Sequence, residues 1–304
     1  MVTASIRPSG VSRPAARAIR RTGPAALIRS ATGERRRRAT SGRQPGDDVR
    51  SLPDILTGRL AGWWNVPVDG TQSVALSGRI VFFTGAGVSV GAGLPTYRGT
   101  GGLYQDSDLD PPHARDLAPD RLAGLWARFG DRLRAAGEVT PALAHHRIAE
   151  LERQHRHPVV IVTQNVDGLH IAAGSSDVIE LHGSLRSMRC LGAGHHLDLD
   201  QAIWVDGIPT CPQCADPCRP NVVLFGETLP AGAWDAAERA MRLADTVVAV
   251  GTSAVVYPAA LLIAPEAITA ARRIWINPEA EPPGPEWMWL QGDADAQVAR
   301  LLPT

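Results

Sequence analysis

The chain has 304 residues, 44% hydrophobic and 20% charged, values near globular averages that exclude disorder throughout and leave room for one large domain or two modest ones. Its 31 basic residues, all Arg, equal its acids in number, yet residues 1–50 hold 12 Arg against Glu34, Asp47 and Asp48. The remainder carries 19 Arg against 28 acids, so the body offers no general attraction to polyanions and no clear nucleic-acid partner is expected.

Residues 1–50 read as an Arg-rich disordered tail and residues 51–304 as the folded body. The first strand is expected at residues 79–84, where Ile80, Val81, Phe82 and Phe83 run into Gly85-Ala86-Gly87. A continuous apolar run ending in glycines predicts a parallel strand buried on both faces. Comparable runs at residues 159–163, 178–181, 222–225, 246–250 and 273–276, several with helical stretches between them, predict an α/β fold with a doubly wound parallel sheet. Two stretches differ in character. Residues 105–157 are rich in helix formers, and residues 190–218 hold turn residues and all four cysteines. They are expected to form a smaller helical and zinc-ribbon-like module inserted into a sheet domain made of residues 74–104, 158–189 and 219–304.

The uncharged stretch 246–265 contains Gly251, Thr252, Ser253 and Pro258. It therefore predicts a buried strand, a polar turn and a helix, and no membrane partner. The clustering of the cysteines points to a local metal site in a reducing compartment, hence a cytoplasmic location, over a disulfide framework.

Gly85-Ala86-Gly87-Val88-Ser89 after a strand is by itself a weak phosphate-binding signal. A Rossmann oxidoreductase would add an acidic residue about 20 positions on, at a second strand end. Asp106 and Asp108 fall near that distance in a polar stretch without strand character, which disfavours hydride transfer. The run continues as Gly91-Ala92-Gly93-Leu94-Pro95-Thr96-Tyr97-Arg98-Gly99, and later come Thr163-Gln164-Asn165-Val166-Asp167-Gly168-Leu169-His170 and His182-Gly183. Arg219-Pro220-Asn221-Val222-Val223-Leu224-Phe225-Gly226-Glu227, Gly251-Thr252-Ser253 and Asn277-Pro278-Glu279 follow. With these blocks in this order, the chain resembles the sirtuins, the NAD-dependent protein deacylases.

The resemblance implies a Rossmann-like NAD-binding domain and an enzyme that deacylates lysine, producing nicotinamide and O-acyl-ADP-ribose. It makes His182 the general base toward a ribose hydroxyl, a task suited to an imidazole with a reference pKa of about 6.5. Gln164 and Asn165 would meet ribose hydroxyls and an ordered water, and Asp167 the nicotinamide amide. Gly85, Ala86, Gly87 and Ser89 would line the phosphate and ribose path, while Pro95, Thr96, Tyr97 and Arg98 lie on a loop that folds over the cofactor. Gly251, Thr252 and Ser253 would meet the cofactor at a strand end, and Asn277 and Glu279 the adenosine ribose. Val223, Phe225 and Gly226, with residues 255–258, would pair with an acylated-lysine protein or peptide as an added strand.

Two departures from the family pattern matter. Sirtuins usually hold structural zinc with two C-x-x-C pairs; here Cys211-Pro212-Gln213-Cys214 keeps the second, but Ala193 stands where the partner of Cys190 belongs. Zinc takes four N or S ligands, so Cys218, His195 or His196 is left to complete Cys190, Cys211 and Cys214, and an all-cysteine set takes Cys218. The second departure is Thr96, where deacetylating sirtuins mostly carry Asp. This resembles the class III branch, which removes succinyl and malonyl groups and reads their carboxylate with Tyr-x-x-Arg on a helix. Phe129 and Arg132 occupy those places, keeping the guanidinium fork and losing the phenolic hydroxyl. Deacetylation with a reduced taste for succinyl and malonyl groups is expected. Protein mono-ADP-ribosylation and a non-catalytic NAD sensor are the alternatives, the second disfavoured by His182, Asn165 and Asp167.

Overall fold

The computed structural model describes residues 76–97, 102–103, 110–264, 266–270 and 272–303, excepting the side chains of residues 131, 132 and 134–137. The expected tail, Arg98 and the side chain of Arg132 thus lie outside the described residues. In chain order the strands are Ile80–Thr84 (β1), Val159–Thr163 (β2), Val178–Glu180 (β3), Gly183–Cys190 (β4), His196–Asp198 (β5), Ile203–Val205 (β6), Ile208–Thr210 (β7), Cys218–Val222 (β8), Thr246–Val250 (β9), Arg272–Asn277 (β10) and Met288–Gln291 (β11). The helices are Leu122–Glu138 (α1), Leu143–Arg153 (α2), Leu169–Ala172 (α3), Ala231–Leu243 (α4) and Ala294–Leu301 (α5).

Six strands form one parallel sheet in the order β11-β10-β9-β1-β2-β3. β1 is central and every residue in it is buried, as a continuous Ile-Val-Phe-Phe run requires when both faces are covered. Because side chains alternate along a strand, Ile80 and Phe82 meet Ala144 and Ile148 of α2 and Val298 and Leu301 of α5. Val81 and Phe83 meet Ala237 and Met241 of α4 and the short 3-10 helix Ala259–Ile263 on the opposite face. The doubly wound parallel sheet is thus present. The uncharged stretch resolves into β9, a turn and that 3-10 helix, and no helix among the described residues is long and apolar enough to cross a membrane.

The strand expected at residues 222–225 lies earlier, at β8, and belongs to a three-stranded antiparallel sheet in the order β5-β4-β8. Gly183 causes the change of sheet. Its φ of 77° is open to glycine, and a Cβ there would meet the Asn221 carbonyl oxygen at 2.1 Å. The chain therefore leaves the parallel sheet directly after His182, and β4 pairs with β8 rather than continuing the larger sheet. Leu122, Leu125, Trp126 and Phe129 of α1 pack onto Leu185, Met188 and Leu197 to give the small module its own core. The edge strand β11 has no counterpart among the expected runs. It is short, and Trp289 in its middle is only partly buried, its indole N–H donating to the Asn277 carbonyl at 3.0 Å.

Candidate active site

Of the residues singled out for a cofactor, those at 85–89, 164–167 and 251–253, with Asn277 and Glu279, lie where β1, β2, β9 and β10 end, the edge at which parallel α/β sheets present ligand sites. Glycine is required there for backbone contact. A Cβ on Gly85 would lie 2.8 Å from the Gly251 carbonyl oxygen, and one on Gly87 would lie 2.6 Å from Gly251 Cα. The Gly85 and Gly87 N–H groups donate to the Val250 and Gly251 carbonyls at 3.0 and 2.9 Å. These glycines first serve to bring the β1 and β9 loops together, giving a floor without side chains.

Ser89, Asn165 and Asp167 form one buried polar group on that floor. Asn165 Nδ2 donates to the Gly85 carbonyl and to Ser89 Oγ, each at 3.2 Å, so both amide hydrogens are engaged and Oδ1 remains as its acceptor. Ser89 Oγ donates to Asp167 Oδ2 at 2.7 Å. Gln164 donates through Nε2 to Thr252 Oγ1 at 3.0 Å, joining the β2 and β9 ends. Asn277 is engaged internally: Nδ2 donates to the Thr252 carbonyl at 2.8 Å, and Oδ1 accepts the Glu279 and Ala280 N–H groups at 2.9 and 2.7 Å. Its amide shapes the loop, while Ser253 and Glu279 are exposed.

His182 follows β3, and its Nδ1 lies 2.8 Å from the Gln164 carbonyl oxygen. A carbonyl only accepts, so Nδ1 carries the proton and Nε2 presents its lone pair. Burial pushes the imidazole below its ordinary pKa of 6.5, partly opposed by the Gln164 hydrogen bond. The arrangement is a neutral, oriented base.

Val223 N–H donates to the His182 carbonyl at 2.8 Å, which sets the following segment beside the base. Phe225 ring centroids lie 6.1 Å from Tyr97 and 5.6 Å from His113. Pro95 and Thr96 precede Tyr97, and the Thr96 carbonyl accepts from Leu103 N–H at 2.9 Å. Glu227 folds the segment back, accepting Leu224 N–H at 2.8 Å and pairing in two places with the buried guanidinium of Arg219. That ion pair, His113 and the buried His145–His170 pair were given no role by sequence reasoning, although Arg219, Glu227 and His170 stand inside the quoted motifs. Phe129 is 3% exposed and sits in the small module's core.

The metal-binding expectation needs one correction. The ligand atoms of Cys190, His195, Cys211 and Cys214 all lie within 4.8 Å of one another, whereas Cys218 is outside this group. Cys190 and Cys214 Sγ are 3.7 Å apart, and Cys211 Sγ is 3.4 Å from His195 Nδ1. A tetrahedron with Zn–S arms of about 2.3 Å has edges of about 3.8 Å, and a mixed S–N edge is about 3.6 Å. The four side chains therefore fit structural zinc. The β4–β5 turn explains the choice: Cys190 N–H donates to the His195 carbonyl at 2.9 Å, and His195 N–H donates to Cys190 Sγ at 3.2 Å. Cys218 is fully buried on β8, and burial first, then the neighbouring Cys211 and Cys190, pushes its thiol up to about 11, which keeps it protonated.

The model of the Sir2 family matches residues 85–258. The chain is 40% identical over 232 residues to an NAD-dependent protein deacylase of Thermus thermophilus, covering 74% of this chain and 89% of the relative. It is 41% identical over 236 residues to NAD-dependent protein deacylase 2 of Pyrobaculum aerophilum, covering 75% and 92%. Among solved structures, it is similar to a Sir2 homologue variant in complex with 2'-O-acetyl ADP-ribose, at 38% identity and a TM-score of 0.62, over 74% of this chain and 90% of that one. A Sir2 structure with p53 peptide and NAD+ matches at 29% identity and a TM-score of 0.62, over 73% and 91%.

Proposed function

The chain belongs to the Sir2 family, and on that premise we propose how its residues divide the work. The protein is an NAD-dependent protein deacylase that transfers the acyl group of lysine to ADP-ribose and releases nicotinamide. The donor set fits NAD: a side-chain-free floor at Gly85, Gly87 and Gly251, a buried Ser-Asn-Asp group able to match an amide and hydroxyls, and an oriented imidazole beside them. NAD when bound supplies the bond to nicotinamide whose loss opens the ribose carbon to the acyl oxygen.

His182 takes a proton from a ribose hydroxyl at Nε2, and the Gln164 carbonyl holds Nδ1–H and stabilises the imidazolium that results. Asp167 and Ser89 hold the carboxamide end, and Asn165 Oδ1 holds a water or ribose hydroxyl. Gln164, Thr252 and Ser253 line the ribose and phosphate path together with Ala86, and Glu279 faces the adenosine ribose. Pro95, Thr96, Tyr97 and Arg98 belong to the covering loop. The segments 223–227 and 255–258 take the acylated-lysine peptide between them; Val255 and Tyr257 are exposed, as an edge awaiting a strand should be. Arg132 meets the carboxylate of a succinyl or malonyl group, giving activity on charged and neutral acyl chains. Cys190, His195, Cys211 and Cys214 hold zinc, which closes the small module and takes no part in the chemistry. Residues 51–304 form the catalytic body, residues 1–50 a dispensable tail, and four cysteines outside disulfides suit the cytoplasm.

The orientation of His182 by the Gln164 carbonyl carries this reading. The full chain incubated with NAD and acetyl-, succinyl- and malonyl-lysine peptides should release nicotinamide and yield O-acyl-ADP-ribose by mass spectrometry. ADP-ribose attached to protein, with acyl-lysine intact, would favour mono-ADP-ribosylation.

A further inference from the structure

The hydrogen bonds around Asn165 close on themselves. Asn165 N–H donates to Thr163 Oγ1 at 3.1 Å, Thr84 Oγ1 donates to the same oxygen at 2.9 Å, and His170 Nε2 lies 3.0 Å from Thr84 Oγ1. In the other direction Asn165 reaches Ser89, Ser89 reaches Asp167 Oδ2, and Asp167 Oδ1 accepts Leu169 N–H at 2.9 Å. Leu169 precedes His170 in α3, so the circuit returns to its start. Every residue in it is at most 9% exposed.

The bond from Thr84 to Thr163 sets the direction of the rest. The Thr84 hydroxyl gives its hydrogen to Thr163, so it must receive one from His170, which therefore carries its proton on Nε2. His170 Nδ1 is then a bare lone pair without a partner among the described residues. Behind it lies His145, fully buried, with ring centroids 4.7 Å apart at 62°. His145 Nδ1 accepts Ala142 N–H at 3.2 Å, so its proton sits on Nε2, also without a partner. The two unmet groups, a donor on His145 and an acceptor on His170, are complementary. Burial holds His170 down to about 3, with His145 adding to the effect; Asp167, Asp295 and His146 are the charged or titratable groups facing His145, whose pKa is also lowered, chiefly by burial.

We propose that His170, backed by His145, is a positioning residue for the nicotinamide end of the cofactor site: as a fixed N–H donor it locks the Thr84 and Thr163 hydroxyls, and through them the orientation of Asn165, Ser89 and Asp167. This rests on the reading that those three residues hold the carboxamide and ribose. A general packing role would not distinguish NAD from peptide, whereas positioning of this corner does.

The test uses the full chain and the variants Thr84→Val, His170→Phe and His170→Gln, each checked for folding by thermal unfolding. Thr84→Val removes the hydroxyl at nearly constant volume, and His170→Gln keeps an N–H donor near the place of Nε2. Thr84→Val and His170→Phe should raise KM for NAD and the nicotinamide inhibition constant by on the order of ten-fold, with peptide KM held within about two-fold. His170→Gln should recover most of the loss. Folded variants with wild-type KM for NAD, or with NAD and peptide constants shifted equally, overturn the proposal, and Thr84→Val alone decides it if His170→Phe does not fold. Calorimetric NAD binding needs no turnover. A wild type that binds NAD but deacylates nothing removes the deacylase reading, and weaker NAD binding by Thr84→Val then still upholds the positioning role, while unchanged binding overturns it.

Discussion

His170 keeps its imidazole 2% exposed, and the same burial that fixes its tautomer also ties stability to pH. In the unfolded chain the group titrates near 6.5, and in the folded protein burial first, then His145, lowers it to about 3. Between those values the unfolded chain binds a proton that the folded protein refuses, so this contribution is fully present above about pH 6.5 and is lost as pH falls toward 3. Each pH unit within the window costs about 1.4 kcal/mol. Acidification from about pH 6.5 to about pH 5 therefore removes about 2 kcal/mol through His170 alone, and His145, lowered in the same sense, adds to the loss. Urea unfolding of wild type and His170→Gln at about pH 7.5 and about pH 5 measures it. The wild type should lose about 2 kcal/mol more than the variant, and equal losses in the two proteins would refute the reasoning.

His182→Ala should abolish deacylation while NAD affinity stays within a few-fold, since the base acts on chemistry more than on ground-state binding; wild-type turnover would remove it from the mechanism. The acid limb of kcat/KM should fall below pH 6.5, because burial lowers His182; a midpoint above that value contradicts the neutral-base assignment. Metal analysis should find about one zinc per chain, sharply reduced by His195→Ala, restored by His195→Cys and unaffected by Cys218→Ser; a metal-free active protein would dismiss the site. Arg132→Ala should lower succinyl turnover through substrate affinity and leave acetyl turnover nearly unchanged, and equal loss on both substrates would make Arg132 structural. Removal of residues 1–50 should leave melting temperature and peptide deacylation unchanged, and loss of folding would end the view of that segment as a tail.

Most of the large sheet was legible because parallel strands buried on both faces write themselves as unbroken apolar runs, and β1, β2, β9 and β10 do so. The small sheet was less so. β4 breaks its alternation, with Leu185, Met188 and Cys190 buried and Arg186 exposed, because the strand is irregular between Gly183 and Met188, and two residues separate it from β3, so the change of sheet hangs on the backbone of Gly183. The fourth metal ligand was undecidable between Cys218 and histidines because it depends on the curl of the β4–β5 turn, which no residue count encodes. The motif presents the glycines as ligand-facing, yet the closest neighbours of Gly85 and Gly87 are the backbone of another loop, more than 160 residues away in sequence. His145 and His170 meet only because α2 and α3 pack together, a contact that local pattern cannot announce.

β4 and β8 have a mechanical consequence. They run side by side from the metal cluster, where Cys190 faces Cys218 across the ladder, to Gly183 and Val222, which adjoin the base and the peptide segment. At about 3.3 Å per residue, Cys218–Val222 is about 13 Å long, and the eight residues of Gly183–Cys190 bulge to match it. At the far end of this ladder only Cys190 belongs to the metal group, so a metal there would brace β4 directly and β8 through its pairing, up to the point where Val223 N–H meets the His182 carbonyl. A splay of about 5° over such an arm would move its end by about 1 Å, beyond the roughly 0.5 Å tolerance of a reacting geometry. A remote ion would thus steady the ground on which the base stands without touching it.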